Sequence, residues 1–227
     1  IIVLVQDNGT KEYFSHLLPE LGIKNVRITT FFEWASEILG LEEAVYLDRR
    51  GNSEDEKDQI EFERLLKIRQ DDIPSWDNTK NFFFFFQSRG LDRIDITTAL
   101  MSFLKHFKRF EIKTQYRTVI KGELKEKTRK TIPKYSLMVI DEFQNYMPEQ
   151  IKLLSTCTDP DTKSMIFVGD IAQQIVPGAV RSWHDIELDL SDDRQVRLHK
   201  VYRNTKQILG YIKSLGYVVD IPEGIRE

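Results

Sequence analysis

Residues 137–150 read LMVIDEFQNYMPEQ, so four apolar side chains run straight into two adjacent carboxylates, Asp141 and Glu142. At the end of a buried parallel strand, such a pair stands at the carboxyl edge of a sheet, where open α/β folds bind ligands. Asp141 there suits magnesium, a hard cation that takes oxygen ligands and keeps several waters. Glu142 suits the orientation and deprotonation of an attacking water. The pair alone is a weak signal, because many strands end in acidic residues simply on reaching solvent. A second stretch, SMIFVGDIAQQI at 164–175, strengthens it. It too is a short apolar run, ending in Gly169-Asp170 with Gln173 three residues on. Glycine there permits a close backbone approach, and the Gln173 amide can both donate and accept, which suits a sensor of a terminal phosphate and its water. Further on, Tyr202 stands beside Arg203 in LHKVYRNT. A tyrosine ring can stack on a base, and an arginine fork matches phosphate oxygens.

Such groups act together only if strands and helices bring their ends to one edge. Residues 1–5, IIVLV, read as a short buried strand, and 10–21 as a helix ending near Gly22. NVRIT follows as a strand, then TFFEWASEILG as a helix that Gly40 stops. From residue 136 the pattern returns: strand SLMVI, helix PEQIKLLSTC, strand SMIFV, a strand at QVRL, helix NTKQILGYIKSLG and a final strand at YVVDI. This alternation predicts an α/β fold with a parallel sheet, built from residues 1–40 and 136–227. Residues 41–135 read as a mostly helical insertion. Within it, one helix carries Ile60, Leu65 and Ile68 on its apolar side, DDIPSWDNTK is turn-like, and Phe82 to Phe86 form a strand or helix buried on both faces. Asp95 is placed to cap a helix with Ile96, Ala99, Leu100, Phe103, Leu104 and Phe107 at helical spacing.

The composition narrows the function classes. The 227 residues carry a net charge of −3, are 41% hydrophobic and include a single cysteine, Cys157. One cysteine excludes an internal disulfide framework and fits a reducing, cytoplasmic setting, and no apolar run approaches the ~20 residues of a membrane span. The average charge hides one strongly basic stretch. Residues 105–134 hold eleven Lys or Arg against three Glu, a balance of +8 that leaves −11 on the rest of the chain. That stretch is either a solvated helical face or a surface for a phosphate backbone, with Lys125, Lys127, Arg129 and Lys130 as its candidates.

VIDEFQN, FVGDIAQQI and LHKVYRN resemble motifs II, III and IV of superfamily 1 helicases of the UvrD/Rep type, in the correct order. LLPELGIKNVRITTFFEWASEIL resembles the region around their motif Ib, and the wording is most similar to the DNA helicase IV/HelD branch. The resemblance covers 1–40 and 136–212 and is poor across 41–95. It implies an incomplete RecA-like, P-loop NTPase-like domain 1A with an insertion like subdomain 1B, ATP and Mg2+ as cofactors, and a nucleic acid, DNA in this family, as partner. It implies roles by position: Asp141 for magnesium, Glu142 for the catalytic water, Gln144 for coupling to neighbouring motifs, Gln173 and Arg203 for the γ-phosphate, Tyr202 for the adenine, and Asp170 in the nucleotide site. Thr30 and Phe31 would lie near single-stranded nucleic acid. Two departures stand out. Asn145 occupies a position where the family usually has Asp, and Val176 and Gly178 stand where it has base-stacking aromatics, leaving Trp183 as the ring in that region.

A phosphate-cradling loop needs glycines and a Gly-Lys-Ser/Thr run, and none occurs in the 227 residues. The resemblance places that loop upstream of Ile1 and motifs V and VI beyond Glu227, so the chain is expected to be a piece of a longer protein. Two functions remain open. One is part of an ATP-dependent helicase or translocase motor, inactive in isolation. The other is a non-hydrolysing module of the same ancestry that binds nucleic acid or RNA polymerase.

Overall fold

The computed structural model describes residues 1–41, 44–47, 55–86, 90–120, 123–162, 164–187, 192–196, 205–216 and 221. They form two compact units, 1–187 and 188–227. The first is built on a four-stranded sheet, every pairing parallel, in the order β2 (Arg27–Thr30), β1 (Ile2–Val5), β5 (Met138–Asp141) and β6 (Met165–Val168). The two central strands are the most apolar, with Ile2, Leu4, Met138 and Ile140 fully buried. Residues far apart in sequence thus make one sheet, and its strands all end at one edge. The α/β architecture with a parallel sheet agrees with the expectation from sequence.

Helix α1 (Asn8–Glu20) follows β1, and its first turn is capped by Asp7, whose side chain accepts from the Thr10 N–H at 2.8 Å. Helix α2 (Phe31–Leu39) begins directly after β2. Thr30 and Glu33 form a reciprocal capping box, and Gly40 ends the helix in the left-handed conformation at φ 70°, where a side chain would be strained. Trp34, Ala35 and Ile38 bury one face of α2.

Between α2 and β5 come α3 (Asp55–Arg69), α4 (Trp76–Phe86) and α5 (Arg93–Phe107). Leu65 and Ile68 of α3, Ile94 of α5 and Met147 share one buried cluster. Ile60, expected on the apolar side of α3, is half exposed, as is Phe107 at the far end of α5. The turn expected at 71–80 continues into α4 from Trp76, and the phenylalanine run is helical; the side chains of Phe83 to Phe86 lie outside the described residues. Asp92, not Asp95, caps α5, and Asp95 closes the box from the third helical position. The basic stretch departs most from a helical insertion. It forms an antiparallel hairpin, β3 (Ile112–Ile120) with β4 (Glu123–Thr131).

Helix α6 (Pro148–Ser155) starts with proline at its first position, where the missing N–H costs nothing. In the second unit, Thr205 caps α7 (Lys206–Ser214). The strand expected at 195–198 is absent at 195 and 196, and its remainder and 217–220 of the final expected strand lie outside the described residues. No helix among the described residues is long and apolar enough to cross a membrane.

Candidate nucleotide site at the sheet edge

Asp141 is the last residue of β5 and pairs in register with Val168, the last residue of β6. The two strands are neighbours, so Gly169 and Asp170 emerge beside Asp141 and Glu142. Asp141 is half-buried, and its carboxyl is pushed above the usual range by burial first, then by the negative charge of Glu142 and, more weakly, of Asp7. Asp7 follows β1 much as Asp141 ends β5. Sequence reasoning missed it, although the same signal, an apolar run meeting a carboxylate in IIVLVQD, was there to find. No Lys or Arg forms an ion pair with Asp7, Asp141 or Glu142 among the described residues.

Glu142 adopts the left-handed conformation, φ 49° and ψ 42°, which a non-glycine residue holds only when its surroundings fix it. Two hydrogen bonds to its carbonyl do so here, and a third holds its side chain. The Gln6 amide donates to the Glu142 carbonyl at 3.4 Å, Asn145 N–H donates to it at 2.9 Å, and the Gln144 amide donates to Glu142 Oε2 at 2.5 Å. The carboxylate stays exposed at the edge.

Gln144 is the centre of the arrangement. It is 1% exposed. Its Nε2 grips Glu142, and its Oε1 accepts from the backbone N–H of Asp170 at 3.1 Å. One side chain therefore ties the turn after β5 to the turn after β6. Asp170 in turn accepts from Ala172 N–H and from the Gln173 amide, both at 2.9 Å. The chain Glu142–Gln144–Asp170–Gln173 is continuous, with Gln173 exposed at its end.

Gly169 makes this closeness possible. A Cβ there would collide with Gln144 Oε1 and would stand 3.0 Å from a Phe143 ring carbon. Since Gln144 is buried and held at both amide atoms, it cannot swing away without breaking the link. Gly169→Ala is expected to lower stability by about 1–3 kcal/mol, as overpacking does. Chemical denaturation measures this, and an unchanged midpoint would show that the link does not hold the two turns together.

The other described candidates lie outside this chain of hydrogen bonds. Thr30 is buried, and its hydroxyl accepts from Glu33 N–H at 3.2 Å. Phe31 is half-buried against Trp34 and, edge-on, Tyr146 at ring distances of 5.7 and 6.1 Å. Both line a cavity of about 220 Å³ together with Asp7, Asn8, Tyr46 and Arg93, at the ends of β1 and β2. Trp183 lays one ring face on Phe143, centroids 4.7 Å apart and planes within 9°, next to Phe167. It supports the turn that carries Gln144. Lys125, Lys127, Arg129 and Lys130 lie on β4, away from the sheet edge in sequence and element. Tyr202 and Arg203 lie outside the described residues.

No group of three or more His, Cys, Asp or Glu among the described residues is arranged to bind a metal. A half-buried carboxylate lacking a cationic partner, with two more nearby, fits magnesium, which a P-loop site binds through one or two carboxylates, waters and the phosphates of its nucleotide.

No curated protein matches the chain. A family model described as an AAA domain matches residues 62–179, a span that begins in α3, takes in both strand-end carboxylate motifs and ends at Ala179. That span is 118 residues, just over half of the 227, and the chain accordingly belongs to this AAA domain family, the helicase-like P-loop group found in UvrD/Rep-type enzymes.

Proposed function

We propose that this chain is part of the motor domain of an ATP-dependent nucleic-acid helicase or translocase, and that it carries the water-activating and phosphate-sensing side of the nucleotide site. The observation that supports this best is the Gln144 bridge from Glu142 to Asp170. The carboxylate that would act on water and the amide that would meet a phosphate are joined through one buried side chain, so a change at Gln173 would reach Glu142 through three hydrogen bonds.

In this reading residues 1–40 and 136–227 belong to the motor domain and 41–135 to an insertion like subdomain 1B. Asp141 would hold a magnesium ion, which would supply charge neutralisation to the phosphates of bound ATP. Glu142 orients the attacking water and takes its proton. Gln173 contacts the γ-phosphate, Arg203 stabilises the charge on the transferring group, and Tyr202 packs on the adenine. Thr30, Phe31 and Trp183, with Lys125, Lys127 and Arg129 of β4, serve the nucleic acid.

Binding of the β-phosphate needs a nest of backbone N–H groups and a lysine, and the 227 residues contain no Gly-Lys-Ser/Thr run. The 227-residue chain is therefore expected to show no magnesium-dependent ATP turnover above its own Glu142→Gln variant. A polypeptide extended to include a phosphate-binding loop is expected to hydrolyse ATP, faster with single-stranded nucleic acid. Turnover by the shorter chain, or none by the longer, would refute the assignment.

A further inference from the structure

The register of the basic hairpin sorts its residues onto two faces. Directly opposite residues share a face, and successive residues alternate. Thr114 faces Arg129, Tyr116 faces Lys127 and Thr118 faces Lys125. These six lie on one side. Lys113 with Lys130, Gln115 with Thr128, Arg117 with Glu126, and Val119 with Leu124 lie on the other. A linear count of charge cannot see this division.

The faces differ in what their cations already do. On the second face, Arg117 pairs with Glu126 at 3.1 Å, and Lys130 pairs with Glu111 at 3.1 Å. On the first face, only Lys125 has a carboxylate, Glu123, at 3.6 Å. Among the described residues Lys127 and Arg129 have no ion-pair partner. Tyr116 stands opposite Lys127 with 44% of its surface exposed. Neither strand packs a face against the body along most of its length. A two-stranded ribbon that buries so little is marginal by itself, so folding alone gives no reason for a ring and three cations in a row.

We infer that the Lys125, Lys127, Arg129 and Tyr116 face of the hairpin is a track for single-stranded nucleic acid, with the cations on consecutive parts of the phosphate backbone and one unpaired base stacked on Tyr116. The inference deepens the nucleic-acid side of the function proposed above and rests on it. Alternate residues of a strand are about 6.8 Å apart, the length of two stacked nucleotides at about 3.4 Å each. The three cations thus step along a strand in time with it. The exposed tyrosine selects the single strand, since only an unpaired base offers its face. Lys130, grouped with these cations by sequence, is on the wrong side and already engaged.

The test removes equal charge from each face. The triple variant Lys125→Gln, Lys127→Gln, Arg129→Gln is compared with Lys113→Gln, Arg117→Gln, Lys130→Gln, each in the 227-residue chain. Anisotropy of labelled oligothymidylate and oligouridylate is followed over a salt series without nucleotide. The first triple is expected to weaken affinity at least tenfold at low salt and to flatten the logarithmic salt slope by about 2, or about 0.7 for each phosphate no longer neutralised. The second triple is expected to keep most of both. Tyr116→Ala is expected to weaken binding about fivefold to a hundredfold with the slope unchanged. Equal losses from the two triples would overturn the track, because net charge alone would then explain binding. A duplex bound as tightly as the single strand, with Tyr116→Ala silent, would overturn the single-strand assignment, and so would an acidic peptide that competes as well as the oligonucleotide. Every substituted cation is exposed on the hairpin, and unchanged thermal midpoints confirm that both triples are folded. Because ATP is absent, failure here leaves the hydrolase assignment standing, and failure of hydrolysis leaves this one.

Discussion

Replacing Glu142 by Gln in a form of the protein that hydrolyses ATP is expected to leave nucleotide binding in place and to lower turnover by about 10²–10⁴-fold, the usual cost of losing a general base. The substitution is nearly silent for structure. Gln keeps the length of the side chain, and its amide oxygen can still accept from Gln144 Nε2, which now donates to Glu142 Oε2 at 2.5 Å. The left-handed backbone at 142 is held through its carbonyl, by Gln6 and Asn145, and that does not change. What is lost is the capacity to take a proton from water. Binding of a fluorescent ATP analogue and single-turnover hydrolysis separate the two effects. Turnover close to wild type would mean that Glu142 is not the general base and that Asp141-Glu142 is a strand end meeting solvent.

The parallel sheet was legible because three of its strands, IVLV, MVID and MIFV, are short, mostly apolar runs bounded by polar residues, while β2, RITT, was marked by its place between two helices. The same runs placed Asp141 and Asp170, since a carboxylate after such a run must lie at the strand's end. The hairpin was not legible in this way. Its strands, IKTQYRTVI and ELKEKTRKT, face solvent on both sides, so no apolar alternation marks them. Only the β-branched and aromatic residues of β3 hinted at a strand. The cap of α5 lies three residues before the one expected because Asp92 and Asp95 are both good caps; Asp92 accepts from the Ile94 and Asp95 N–H groups, and Arg64 of α3 contacts both carboxylates. The Gln144 bridge was beyond sequence for a related reason. It joins two turns 26 residues apart, and their closeness depends on β5 and β6 being neighbours in the sheet.

Arg93 shows the same limit and carries the largest expected effect on stability. It sits in the first turn of α5, 7% exposed, where a sequence reading expects a solvated residue. Its Nη2 donates to Glu61 Oε2 at 3.0 Å and to the Pro177 carbonyl at 2.8 Å. Arg69 adds a bond to the Gly178 carbonyl at 2.8 Å, so α3 and α5 together hold the segment that follows the Asp170–Gln173 turn. Arg93→Met is expected to cost about 3–5 kcal/mol, because it leaves the Glu61 carboxylate buried without a cation. The pair itself contributes much less than that. Among the described residues Arg93 Nε and Nη1 are buried without a hydrogen-bond partner, and an orphaned donor costs about 1–3 kcal/mol. Removing both charges should then recover most of the loss. Arg93→Met with Glu61→Leu is expected to fall within about 1 kcal/mol of wild type, or to exceed it, as apolar replacements of buried pairs often do. A double-mutant cycle by chemical denaturation reads the difference as coupling. If Arg93→Met alone costs less than about 1 kcal/mol, well under the usual penalty for an unpaired buried charge, Glu61 reaches solvent in the folded protein and the two helices do not clamp the segment through this pair.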